Sequence, residues 1–116
     1  PNSLYRNDAG FFTDVGVSAG VAYSGSSFTA AWADCEVDGC LDLYVTDGIL
    51  GDGGKNALFH GLKTATFQDV ATSAGVADSA KSIGSAAGDY DADGLPDIYV
   101  VNMGAPNRLY HNDGSL

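Results

Sequence analysis

Positive charge is scarce in this chain: five lysines and arginines stand against fifteen acids, for a formal net charge of −10 at pH 7. Arg6, Lys55, Lys63, Lys81 and Arg108 are scattered singly, so there is no basic stripe to follow a phosphate backbone. The excess negative charge also repels nucleic acid and anionic membrane surfaces, and no nucleic-acid partner is expected. Long apolar runs are missing as well. No stretch approaches the roughly 18 apolar residues of a membrane helix, so no membrane insertion is expected, and the N-terminus has neither a basic start nor an apolar signal core. The chain is expected to be soluble and already processed or excerpted, because it opens at Pro1 inside a repeat. Cysteine is limited to Cys35 and Cys40, a C-x4-C spacing with no second pair, which is poor for zinc. Two readings of that pair stay open: a small disulfide closing one loop, or two free thiols packed as small hydrophobes.

Glycine, by contrast, is abundant, with sixteen in 116 residues, and hydrophobic content is an ordinary 45%. With many short apolar runs, this composition argues for one modest, turn-dense all-β domain rather than a helix bundle or a disordered tail.

The chain repeats itself. Asn2-Ser3-Leu4-Tyr5-Arg6-Asn7 recurs as Asn56-Ala57-Leu58-Phe59-His60-Gly61 and as Asn107-Arg108-Leu109-Tyr110-His111-Asn112. Phe12-Thr13-Asp14-Val15 recurs as Phe67-Gln68-Asp69-Val70, and Ser18-Ala19-Gly20-Val21 recurs unchanged as Ser73-Ala74-Gly75-Val76, giving a period of 51 to 55 residues. Four short strands fit each unit. Segments 28–33 and 83–88 are rich in small residues and suit an innermost strand, and 42–47 and 97–102 are β-branched and aromatic and suit the second. Segments 4–6, 58–60 and 109–111 give the third strand, and 12–15 and 67–70 the outermost. Four antiparallel strands per period of about 50 residues is the signature of β-propeller blades. Residues 1–27 then supply the outer strands of a first blade plus a linker, 28–82 a complete blade plus a linker, and 83–116 the first three strands of a following blade. About two blades make an incomplete ring, since closure takes four to eight. Other blades of the same protein, or further copies of the chain, are the expected partners.

Between the first and second strands lies the chain's densest chemistry. Asp89, Asp91, Asp93 and Asp97 occupy positions 1, 3, 5 and 9 of a loop that turns at Gly94, and Asp34, Glu36, Asp38 and Asp42 repeat the pattern around Gly39. Alternate side chains of a curling backbone converge their oxygens on one point, a design for a hard cation, and Ca2+ accepts six to eight oxygens in loose geometry. Eight of the fifteen acids lie in these two loops, so two calcium ions would bring −10 to −6. The same first six positions fit an EF-hand, which fails at position 12, where Val45 and Val100 stand in place of a bidentate glutamate.

With this loop, the Asn-x-Leu-Tyr-x-Asn strand and the Phe-x-Asp-Val strand in this order, the chain resembles the FG-GAP/VCBS repeats of integrin α-subunit propellers and of cartilage-acidic-protein-like secreted proteins. The resemblance implies a calcium-binding propeller working outside the cytoplasm (extracellular, cell-surface or periplasmic) in adhesion or recognition of a protein or glycan. It also implies ligands at Asp34, Glu36, Asp38 and Asp42, with the carbonyl of Cys40, and at Asp89, Asp91, Asp93 and Asp97, with the carbonyl of Leu95. Glu36 departs from the usual aspartate or asparagine.

Elsewhere the bland readings prevail. The glycine-rich segment 48–55 fails as a phosphate loop because Ile49 stands where glycine is needed and Asn56 where serine or threonine is needed. It reads as a long connection, with Ile49, Leu50 and Asp52 as candidate contact residues. His60 and His111 share a repeat position with Arg6 and read as strand-surface residues, and Trp32 reads as core filler. No catalytic constellation can be assembled, because carboxylates that chelate an ion are not free to donate protons. The expectation is a non-enzymatic recognition or scaffold module, the alternative being an accessory propeller fragment of a secreted enzyme.

Overall fold

A computed structural model describes residues 1–48 and 54–115. It is nearly all-β: the nine strands among the described residues form three antiparallel sheets, with one four-residue helix, Gly16–Ala19, as the single helical element. The first sheet pairs β1 (Tyr5–Asp8) with β2 (Phe11–Asp14). The second runs in the order β3 (Ala30–Ala33), β4 (Asp42–Val45), β5 (Ala57–Gly61), β6 (Phe67–Asp69). The third holds β7 (Ser82–Gly88), β8 (Asp97–Asn102) and β9 (Arg108–Tyr110). This is the architecture of propeller blades, and the described residues do not close a ring. The short helix departs from the strand-and-linker pattern of the sequence. It ends on Gly20, whose left-handed φ of 85° lets its N–H turn back to the carbonyls of Gly16 and Val17.

The four-stranded sheet is sandwiched between its neighbours, and strand alternation divides its side chains. Leu43 and Val45 of β4 and Ala57 and Phe59 of β5 face the first unit, where Ala19, Val21, Leu4 and Val15 meet them. Tyr44 and Leu58 face the opposite way and pack with Ile98 and Val100 of β8 and with Ala71 and Val76 of the linker. Burial on both faces explains why β4 and β5 are apolar almost throughout. Trp32 departs from the core-filler expectation. It is 46% exposed and leans on Phe67, ring centroids 6.1 Å apart, because the packing from the first unit stops short of β3. Ile49, Leu50 and Asp52 lie outside the described residues.

An asparagine per repeat ties strands together. Asn56 accepts the Asp47 N–H on Oδ1 at 2.8 Å and donates from Nδ2 to the Tyr44 hydroxyl and to Ser82 Oγ. Asn107 repeats the first two bonds with Asn102 N–H and the Tyr99 hydroxyl, and Asn2 repeats the third with Ser27 Oγ. The recurring asparagine of the repeat motif is thus a strand-to-strand and unit-to-unit clamp.

Candidate metal centres

Both acidic loops connect the first strand of a sheet to the second: 34–41 joins β3 to β4 and 89–96 joins β7 to β8. They fold alike down to individual bonds. Asp34 accepts the N–H groups of Asp38 and Gly39, each at 2.9 Å, and Asp89 accepts those of Asp93 and Gly94 at 3.2 and 2.9 Å. Asp38 and Asp93 each accept the N–H two residues on, from Cys40 and Leu95. Position 4 is left-handed in both, at Val37 (φ 56°) and Ala92 (φ 63°), and position 6 is the glycine whose φ of 88° or 95° only that residue adopts freely.

The position-9 carboxylates behave differently from the other three. Asp42 and Asp97 open their strands, are 1% exposed, and are held by backbone donors on both oxygens. Asp42 Oδ2 accepts from Cys35 N–H and Oδ1 from Gly61 N–H; Asp97 does the same with Tyr90 and Asn112. The Asn112 N–H, then against burial the Tyr90 N–H and His111, hold the Asp97 carboxyl below its ordinary range.

The oxygens of Asp89, Asp91 and Asp93 come within 4.8 Å of one another, so three of the four expected residues of this loop converge in solvent. Asp97 joins a second group, with Asp91 and His111. In the first loop the group is Glu36, Asp42 and His60; among the described residues Asp34 and Asp38 form no such group with Glu36. Burial raises the Glu36 carboxyl, against the pull of His60, and Asp42, Asp38 and Asp34 push the same way as burial.

The histidines depart furthest from the strand-surface expectation. His60 Nδ1 stands 2.9 Å from Glu36 and 3.1 Å from Asp42, and His111 Nδ1 stands 3.5 Å from Asp91 and 3.3 Å from Asp97. Strand register is the reason. Leu43 pairs with Phe59 and Ile98 with Tyr110, so one step further each histidine lies opposite the position-9 aspartate. The signal is present in the sequence as a histidine four residues after the asparagine of the leucine motif, Asn-x-Leu-aromatic-His. Cys35 and Cys40 are free thiols, and burial followed by the charge of Asp42 pushes Cys35 up to about 12.

Asn112 joins the two loops. Its Nδ2 donates to the carbonyl of Cys35 in the first loop at 2.7 Å and to that of Pro96 in the second at 3.0 Å.

Antiparallel sheets in blade order, the second and third each turning through an acidic loop between their first two strands, define a propeller-type repeat protein. A family profile described as FG-GAP-like repeat matches residues 37–100, and the chain belongs to that family. Cartilage acidic protein 1 of Mus musculus is 30% identical over 110 residues, 88% of this chain and 17% of that protein. Cartilage acidic protein 1 of Homo sapiens is 43% identical over 60 residues, 51% of this chain and 9% of that protein. The chain therefore spans a small part of the relatives it matches.

Proposed function

We propose that the chain is a cation-stabilised section of a larger extracellular propeller, without catalytic activity, whose exposed loops and edges serve recognition of a protein or glycan. Calcium fits the second loop best, held by Asp89, Asp91, Asp93 and Asp97 with the carbonyl of Leu95. The first loop, with Asp34, Glu36, Asp38, Asp42 and the carbonyl of Cys40, is the second cation position. The observation that carries this reading is the convergence of Asp89, Asp91 and Asp93 on one exposed point while the backbone pins the carboxylate of Asp97. Three like charges gathered this closely repel one another unless a cation neutralises them. The bound ion supplies that positive charge and nothing reactive; the chain's residues fix the turn between two strands. Other blades of the same protein, or copies of this chain, are the natural neighbours of its outer sheets, since Phe11, Phe12 and Tyr5 of the two-stranded sheet are exposed. An extracellular setting fits the similarity to cartilage acidic protein, and no described helix is long and apolar enough to cross a membrane.

Removing calcium with a chelator tests the proposal. At about 1 mM free calcium and a Kd of about 10 μM, one site adds roughly 2.7 kcal/mol by mass action. The melting temperature is expected to fall on chelation and recover with added calcium, with Asp89→Asn blunting the difference. A melt indifferent to EDTA sinks the reading.

A further inference from the structure

Among the described residues β1 pairs with β2 alone, so its other edge is open, whereas its repeat equivalents β5 and β9 have β4 and β8 on that side. The asparagine of the first unit is underused in the same direction. Asn56 and Asn107 each accept a second-strand N–H on Oδ1, from Asp47 and Asn102, and each donate to a second-strand tyrosine hydroxyl, of Tyr44 and Tyr99. Asn2 donates to Ser27 Oγ, and its Oδ1 and second Nδ2 hydrogen have no partner among the described residues. Beside this edge runs an open groove of about 390 Å³, lined in part by Asn2, Leu4, Ala30, Trp32 and Leu43. The matching space in the next seam is closed: Ala31 and Ala33 of β3 lie against Ala87 and Ile98 with no room for a water molecule. Ala87 is the repeat equivalent of Trp32, so this strand position needs only a methyl group, and the 46% exposed indole is additional.

We propose that the β1 edge and the Trp32 groove form one selective seat for an inner hairpin of this repeat's own type, supplied by the larger protein's stretch that leads into Asn2, and that Trp32 admits only a hairpin with glycine where β7 has Gly88. This rests on the propeller reading and deepens it, because it says which hairpin the seat accepts. The second strand of the hairpin adds to β1 by main-chain pairing, the mode by which an extended segment joins an open sheet edge. Its tyrosine hydroxyl accepts from Asn2 Nδ2, and its N–H three residues further on donates to Asn2 Oδ1, as Tyr44 with Asp47 and Tyr99 with Asn102 do in their own units. Its first strand faces Trp32 as β3 faces Ala87. An indole in place of that methyl needs space returned from the facing strand, since a packed seam does not absorb added volume. Of the two inner strands in the chain, β3 presents Ala31 and Ala33 to the following unit, and β7 presents Ala86 and Gly88 at the same positions. A Cβ built on Gly88 meets nothing within 4 Å, so that face is open to receive a large side chain. Trp32 thereby sets the order of units, favouring a hairpin like 83–102 over one like 28–47.

The test titrates the chain, in calcium-containing buffer, with a synthetic peptide of residues 83–102. The peptide has no tryptophan and Trp32 is the single one in the chain, so its fluorescence reports the seat directly. Saturable binding of one peptide by calorimetry is expected, with the Trp32 emission moving to shorter wavelength as the indole leaves water. A Gly88→Leu peptide is expected to bind more than about tenfold more weakly, and Trp32→Ala to accept that peptide as well as the unmodified one. Asn2→Ala, with the parent's circular dichroism, is expected to weaken the unmodified peptide by more than about tenfold. Absence of saturation, an unmoved Trp32 emission, equal binding of the Gly88→Leu peptide to the parent, or unchanged affinity in Asn2→Ala each overturn the proposal. Burial of Trp32 by self-association of the chain without peptide overturns it in favour of a second copy. A chain whose melt responds to calcium but which ignores the peptide overturns this proposal and leaves the propeller reading standing.

Discussion

Val37 holds a left-handed backbone at φ 56° with a β-branched side chain, the residue type least suited to that region. Its side chain is largely exposed and recovers little through packing. Ala92 meets the same demand in the second loop with only a methyl group. Replacing Val37 with glycine removes the steric penalty of about 1–2 kcal/mol against roughly 0.5–1 kcal/mol of added chain entropy. Val37→Gly is therefore expected to stabilise by up to about 1 kcal/mol, read as a higher urea midpoint at constant m-value, and Ala92→Gly by less. A lower midpoint for Val37→Gly would show that the strain is compensated elsewhere. Residue types alone made the carboxylates legible, since four acids at fixed spacing around a glycine repel one another without a cation between them. The histidines were less so: whether an imidazole faces water or a neighbouring aspartate depends on strand register, which pairs residues 18 and 14 positions apart.

Between elements, the two units solve one polar problem with opposite donors. In the first, the Tyr23 hydroxyl donates to buried Asp47 Oδ2 at 2.5 Å; in the second, Asn102 Nδ2 donates to Asp78 Oδ2 at 2.8 Å. Tyr23 and Asp78 are repeat equivalents, as are Asp47 and Asn102, so donor and acceptor have changed sides together. Gly25 and Gly54 close over the Asp47 carboxylate, and a methyl group at either would overlap it. Burial and then the hydrogen bond to Asp47 push Tyr23 up to about 12, keeping it a donor. Tyr23→Phe is expected to cost roughly 1.5–3 kcal/mol by stripping a buried carboxylate of a hydrogen bond. Adding Asp47→Asn should return part of this, because a neutral amide tolerates the loss and can donate to the Lys55 carbonyl as Asn102 does to that of Pro106. Unfolding of both singles and the double gives the coupling, and strict additivity would show the two residues to be independent. The strand assignments, by comparison, could be read from repetition, because the same four segments recur in both units. The swapped pair could not, because each member looks ordinary until its partner is in place.

Over the whole molecule, Asp78 is a main seam between the four-stranded and three-stranded sheets. Its carboxylate accepts from Ala80 N–H, Asn102 Nδ2 and Arg108 Nε, and its carbonyl accepts from Asn56 N–H. Burial alone would raise this group, yet the Ala80 N–H, Asn102 and Arg108 together hold it below its ordinary value of 3.8. A carboxyl depressed by folding contributes stability that is present above its unfolded value and is lost as pH falls through the folded one. The melting temperature is expected to decline with acidification below about pH 4, and Asp78→Asn to lower it at neutral pH and flatten that decline. An unchanged acid slope in Asp78→Asn would move the titration to other carboxyls.

Asn112 gives the arrangement a property neither loop has alone. Cys35 donates its backbone N–H to Asp42 and accepts on its carbonyl from Asn112 Nδ2, while the Asn112 N–H donates to Asp97. A single chain of hydrogen bonds thus runs from one position-9 carboxylate to the other. If each loop takes an ion as proposed, ordering either loop spends entropy on peptides that the other also needs ordered, so a second ion would find part of that cost already met. Occupancy of the pair would then rise with cation concentration more steeply than two independent sites allow, and the seam between neighbouring sheets would tighten as a threshold, not by degrees.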